Sequence, residues 1–126
     1  MQLKTVILLS LLSNSQLWAL STGLDELKGQ AESGESWAQF NLALKYFSGD
    51  ANPAGTREYD RAAEWFEKAA VQDNVDAQFA LGTLYCQGKG VGQDKQRCKE
   101  LLLKASDNGH VEAARTLTEW FSNSGK

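Results

Sequence analysis

Residues 38–49 read AQFNLALKYFSG, and residues 77–88 read AQFALGTLYCQG. A weaker third copy, AARTLTEWF, occupies 113–121, so the spacing runs from 36 to 39 residues. Between the copies lie matching second halves, YDRAAEWFEKAA at 59–70 and DKQRCKELLLKAS at 94–106. Self-similarity at this period is the mark of stacked helical hairpins, each burying its apolar face against the next.

Within every copy the apolar residues step by four: Ala38, Leu42, Tyr46; Ala77, Leu81, Tyr85; Ala113, Leu117, Phe121. That spacing lines one face of a helix, and no run alternates as a strand would. Six helices are expected, at about 24–33, 36–48, 57–72, 75–87, 94–107 and 110–122. The fold class is all-α, a short right-handed α-solenoid of antiparallel helix pairs. Full repeats cover about 36–73 and 75–109, with half-repeats at 24–34 and 110–122.

The helix boundaries have local causes. Gly49, Gly88 and Gly90 stand where helices end and positive φ is needed. Asp94 is placed to cap the helix that follows it. Gly34 and Gly109 break two junctions, and Asp73 with Asn74 serves the middle one. The loop at 49–57, which holds the only proline, Pro53, is three residues longer than its counterpart at 88–93. Small residues mark close helix contacts: Ala43 and Gly82 on first helices, Ala62 and Cys98 on second helices, then Ala69 and Ala105. Trp65, Phe66, Leu101 and Leu102 are expected to fill the space between successive hairpins.

The N-terminus has a different layout. Lys4 precedes the apolar run Val6-Ile7-Leu8-Leu9-Ser10-Leu11-Leu12, and a polar stretch leads to the small residue Ala19. This is the pattern of a secretory signal peptide at 1–19, too short in its apolar part to span a bilayer. The remaining 20–126 make one domain, carrying twelve bases against sixteen acids, a net charge of −4. Charges are interleaved, which argues against nucleic acid or an anionic membrane as the main partner.

Reactive chemistry is sparse. His110 is the sole histidine and sits at a helix junction, where a polar residue caps. One histidine and no Cys-x-x-Cys leave a conventional zinc site short of ligands. Gly88-Lys89-Gly90-Val91-Gly92 lacks the strand and the Gly-Lys-Ser/Thr ending of a phosphate loop. Glu64 and Glu67, one helical turn apart, read as solvated surface. No catalytic residue, cofactor or metal is expected.

The stretch ALGTLYCQGKGV at 80–91, followed by Asp94, Cys98, Leu101 and KASDNGH at 104–110, resembles the Sel-1-like repeat, a relative of the tetratricopeptide repeat. The copy at 38–73 is similar through AQFNLALKYFSG and RAAEWFEKAA, but has Ala43 for Gly and the Pro53 insertion for the Gly-x-Gly-Val loop. The resemblance implies adaptor or scaffold work, in bacteria often in the cell envelope. Some exported members resemble immunity proteins that block a secreted effector, and cysteine-rich relatives are linked to β-lactam binding or hydrolysis.

In those cysteine-rich proteins a bridge lies inside each repeat, at positions held here by Gln78 and Ser106. Cys86 and Cys98 stand elsewhere, so their pairing rests on this chain's own layout. Cys86 lies four residues after Gly82, on the face toward helix 94–107, and Cys98 lies in the first turn of that helix. Twelve residues with a tight turn between them bring the two within disulfide range. An exported chain favours the bridge over two free thiols.

In solenoids of this type the first helices of successive hairpins line a groove. Their residues outside the packing register are Trp37, Phe40 and Leu44; Asp76, Phe79 and Thr83; Glu112, Arg115 and Glu119. Phe40 and Phe79 occupy equivalent positions, which leaves two readings open: anchors for a partner segment, or rings packed on each other that close the groove. Trp120 is placed to cap the end of the stack. The expected function is a non-enzymatic, exported protein-interaction module whose partner is another protein, with an immunity role against a secreted effector as its specific form. The alternatives are a small-substrate hydrolase of the β-lactam-binding kind and a structural scaffold piece.

Overall fold

The computed structural model describes residues 23–122; the signal-peptide reading and the tail 123–126 lie outside the described residues. Residues 23–32 form α1, followed by α2 (Ser36–Ser48), α3 (Tyr59–Ala70), α4 (Val75–Gln87), α5 (Lys95–Asp107) and α6 (Val111–Phe121). Among the described residues there is no strand, and the helices pack in chain order as antiparallel neighbours: α2 on α3, α3 on α4, α4 on α5, α5 on α6. No described helix is long and apolar enough to cross a membrane.

The register of four produces the core. Ala38, Leu42, Ala43 and Tyr46 of α2 are buried with Ala62, Phe66 and Ala69 of α3, and with Ala77, Leu81 and Leu84 of α4. A second cluster joins Cys98, Leu102 and Ala105 of α5 to Ala113 of α6. A Cβ added to Gly82 would lie 3.3 Å from Leu101 Cβ and from Leu102 Cγ, so α4 and α5 touch there almost backbone to side chain. Leu101 and Leu102 therefore pack inside their own hairpin, and not only between hairpins as the sequence suggested.

Each unit reuses the same joints. The three helix–helix junctions put Gly34, Asp73 and Gly109 in the left-handed region, at φ 103°, 64° and 94°. One residue later Glu35, Asn74 and His110 each donate a backbone N–H to the carbonyl of Gln30, Ala69 and Ala105, at 3.2, 3.2 and 2.9 Å. Asp73 does the work of a glycine because aspartate tolerates that conformation better than most residues. Inside the hairpins, Glu58 N–H donates to Tyr46 C=O and Asp94 N–H to Tyr85 C=O, both at 2.9 Å. The three extra residues around Pro53 are thus absorbed without altering the joint. They fold on themselves through Asn52, which donates to Thr56 C=O and accepts from Thr56 N–H. This joint also shortens the start of α3, expected at 57: Glu58, whose N–H reaches Tyr46, has non-helical dihedrals, and the helix starts only at Tyr59.

Cys86 and Cys98 form a disulfide with Cα atoms 5.3 Å apart, tying the end of α4 to the first turn of α5. Asp94 caps α5 as expected, its side chain accepting from Arg97 N–H at 3.0 Å.

Candidate functional site

A cavity of about 280 Å³ opens between α2 and α4. Phe40, Leu44 and Phe47 of α2 form one wall, and Asp76, Phe79, Ala80, Thr83 and Leu84 of α4 form the other. Phe66 of α3 lies beneath, and His110, from the junction before α6, closes one end. Five of the groove residues read from the sequence (Phe40, Leu44, Asp76, Phe79 and Thr83) meet here. Leu44 is 40% exposed, a large apolar side chain left facing solvent at the mouth.

Each aromatic is held in place by a different neighbour. The Phe40 and Phe66 rings lie 5.7 Å apart at a tilt, and the Phe79 ring stacks on the His110 imidazole at 4.6 Å. The two phenylalanines are therefore facing walls of an open wedge, half-buried and fixed by separate partners. Packed rotamers of this kind make a site preorganised, so little entropy is lost when a guest enters.

His110 connects three elements. Its Nδ1 accepts from Ala113 N–H at 3.1 Å, which caps α6, and its Nε2 lies 3.3 Å from Asp76 Oδ1. An imidazole that accepts at Nδ1 carries its proton on Nε2, so it donates to Asp76 as a neutral ring. The cap was legible in the sequence; the reach of His110 across to α4 was not.

The other expected groove residues lie apart from this cavity. Trp37 is 49% exposed and donates from Nε1 to Glu35 Oε2 at 2.6 Å. It occupies on α2 the position of Asp76 on α4, one turn before Phe40, but does not line the cavity. On α6, Arg115 pairs with Glu112 at 2.6 Å and with Glu119 at 3.7 Å, forming an exposed charged ladder. Trp120, expected at the end of the stack, stands on α6. It is 43% exposed and borders a second cavity of about 540 Å³ with Cys86, Gln87, Lys95 and Phe121.

A further pair of residues went unread in the sequence. Gln39 and Gln78 are buried, and each donates its amide to a carbonyl eight residues earlier: Gln39 to Ala31 at 3.1 Å, Gln78 to Ala70 at 3.2 Å. Each adds a second donor to a carbonyl at the end of the preceding helix that already accepts a backbone N–H, Ala31 from Gly34 at 3.1 Å and Ala70 from Asp73 at 3.0 Å. Their repetition in AQF at 38–40 and 77–79 is the signal that pointed to them.

Comparison with known proteins agrees with this architecture. Residues 38–74 and 75–110 match the model of the Sel1 repeat. The secretory immunoglobulin A-binding protein EsiB of Escherichia coli O6:H1 is 38% identical over 68 residues, 53% of this chain and 13% of EsiB. A Sel1 repeat protein from Oxalobacter formigenes superposes with a TM-score of 0.69 at 36% identity, over 74% of this chain and 26% of that one. Cysteine rich protein B of Helicobacter pylori superposes with a TM-score of 0.71 at 26% identity, over 86% of this chain and 79% of that one. The chain thus corresponds to a small part of EsiB and of the Oxalobacter protein, and to most of the Helicobacter one. With two consecutive units matched across more than half its length, the chain belongs to the Sel1 repeat family.

Proposed function

We propose that this chain is an exported, non-enzymatic module that binds another protein in the wedge between α2 and α4. Sel1 repeats are protein-interaction modules, which sets the class of function. The observation that carries the narrower reading is the convergence of Phe40, Leu44, Phe79 and Thr83 on one apolar cavity bordered by a carboxylate. Buried or half-buried aromatic anchors with a polar rim are the arrangement that concentrates binding energy in protein interfaces. Both nitrogens of the sole histidine are engaged in the cap and the Asp76 contact, which favours a binding role over acid–base catalysis.

Export is supported by the pattern at 1–19 and by the Cys86–Cys98 bridge, since disulfides persist in oxidising compartments. The relatives support a protein partner in kind: EsiB is named for binding an immunoglobulin. The test is capture of a stoichiometric partner from the envelope fraction of cells secreting the chain. Thr83→Arg, which obstructs the wedge, should abolish capture, and Val71→Arg, on exposed surface, should leave it intact. Capture that survives Thr83→Arg would remove the wedge from the account. The immunity form of this reading has its own experiment: co-expression with the candidate effector should protect the cell, and Thr83→Arg should cancel the protection.

A further inference from the structure

The wedge also carries information about what enters it. Its volume of about 280 Å³ lies just below the range for pockets that hold small molecules, roughly 300–1,000 Å³, and suits a single large side chain. Its walls are apolar apart from Asp76, Thr83 and His110. Thr83 donates its hydroxyl to Ala80 C=O and is spent on its own helix.

The charge around the mouth is one-sided. Asp76 is 62% exposed and its partner is a neutral imidazole donating one hydrogen bond, so the negative charge stays uncompensated. Three cations of α5 are engaged elsewhere: Lys104 with Asp73 at 3.4 Å, Arg97 with Glu67 at 3.2 Å, and Lys99 over the Phe121 ring at 5.8 Å.

Resting on the binding reading above, we propose that the partner segment inserts one aromatic or long aliphatic side chain into the wedge and sets a lysine or arginine beside it against Asp76. The apolar side chain supplies the affinity by displacing water from Phe40, Leu44 and Phe79. The cation supplies direction and selectivity, because an acidic neighbour would meet Asp76 with like charge. A segment with flanking acids is excluded on the same ground.

The experiment is selection from a phage-displayed library of random peptides on the immobilised, disulfide-intact chain, followed by affinities for the enriched sequences as synthetic peptides. Enrichment of one aromatic or leucine flanked by lysine or arginine is expected. Asp76→Asn should weaken those peptides about three- to fivefold at low salt, as for one partly exposed charge pair. Peptides enriched without basic flanks, or bound equally by Asp76→Asn, yet lost on Thr83→Arg, would overturn the inference and leave the wedge as the site. Peptides that bind the Thr83→Arg variant undiminished would overturn the wedge as well. A library that yields no enriched sequence counts against both.

Discussion

The imidazole of His110 lies stacked on the ring of Phe79 with 4.6 Å between centroids, so the residue that starts α6 also forms a wall of the wedge between α2 and α4. Stability and recognition are therefore coupled at one side chain, and the two roles separate by substitution. His110→Ala should cost about 1 kcal/mol through loss of the cap to Ala113 N–H. His110→Asn should recover that stability, because asparagine caps well, without restoring the wall. Urea unfolding of the two variants beside partner affinity distinguishes the roles; equal stability of both variants would deny the cap.

Cys86 and Cys98 close a loop of twelve residues between α4 and α5. In the chain-entropy picture such a bridge contributes about 3 kcal/mol. Reduction should lower the denaturation midpoint accordingly. An unchanged midpoint in dithiothreitol would mean the α4–α5 contact at Gly82 alone holds the hairpin.

Gly82 is the tightest point of that contact. Ala43 fills the equivalent place in the first unit, where a methyl group is accommodated. At Gly82 the same methyl meets Leu101 and Leu102 at 3.3 Å, while alanine improves helix propensity by about 1 kcal/mol. The two effects oppose, so Gly82→Ala should fall within about 1 kcal/mol of neutral. Gly82→Val, with two further methyl groups, should cost about 1–3 kcal/mol. Thermal or urea unfolding reads both, and a stabilising Gly82→Val would refute the close approach.

Gln39 and Gln78 make the same bond in consecutive units but differ at the other atom. Gln39 Oε1 accepts from Gln72 Nε2 at 2.8 Å, whereas the buried Gln78 Oε1 has no partner. Allowing for the three-residue insertion, Asn108 stands where Gln72 does, one methylene shorter. Asn108→Gln should bring a donor to Gln78 Oε1 and stabilise the chain by about 1 kcal/mol. A double-mutant cycle with Gln78→Met checks the cause: the gain should vanish in that background.

The period and the helix faces were readable because they depend on residues within one unit. The positions left outside the four-step packing register included Phe40, Leu44, Asp76, Phe79 and Thr83, and all five line the wedge. Phe47, Phe66 and His110 were not named with them. Phe66 sits on a second helix and reads as ordinary core. His110 reads as a cap, and its approach to Phe79 depends on how far one hairpin is displaced over the next, a quantity the repeat length does not contain. Trp37 shows the converse. It shares its place in the repeat with Asp76, and by its spacing the face of α2 that carries Phe40 and Leu44, yet only Asp76 lines the cavity. The start of α3 departed from 57 because the Glu58–Tyr46 joint takes precedence over helix propensity, and its end from 72 because the chain turns there, with Asp73 left-handed.

The central claim, that a partner occupies the wedge, is tested most directly by photo-crosslinking in the exported protein. A photoreactive phenylalanine at Leu44 or Thr83 should join covalently to one partner, and the same group at Val71 or Leu103, on exposed surface of the second helices and their junctions, should not. Adducts to that partner from Val71 or Leu103 but none from Leu44 or Thr83 would place recognition on the opposite face and contradict the account.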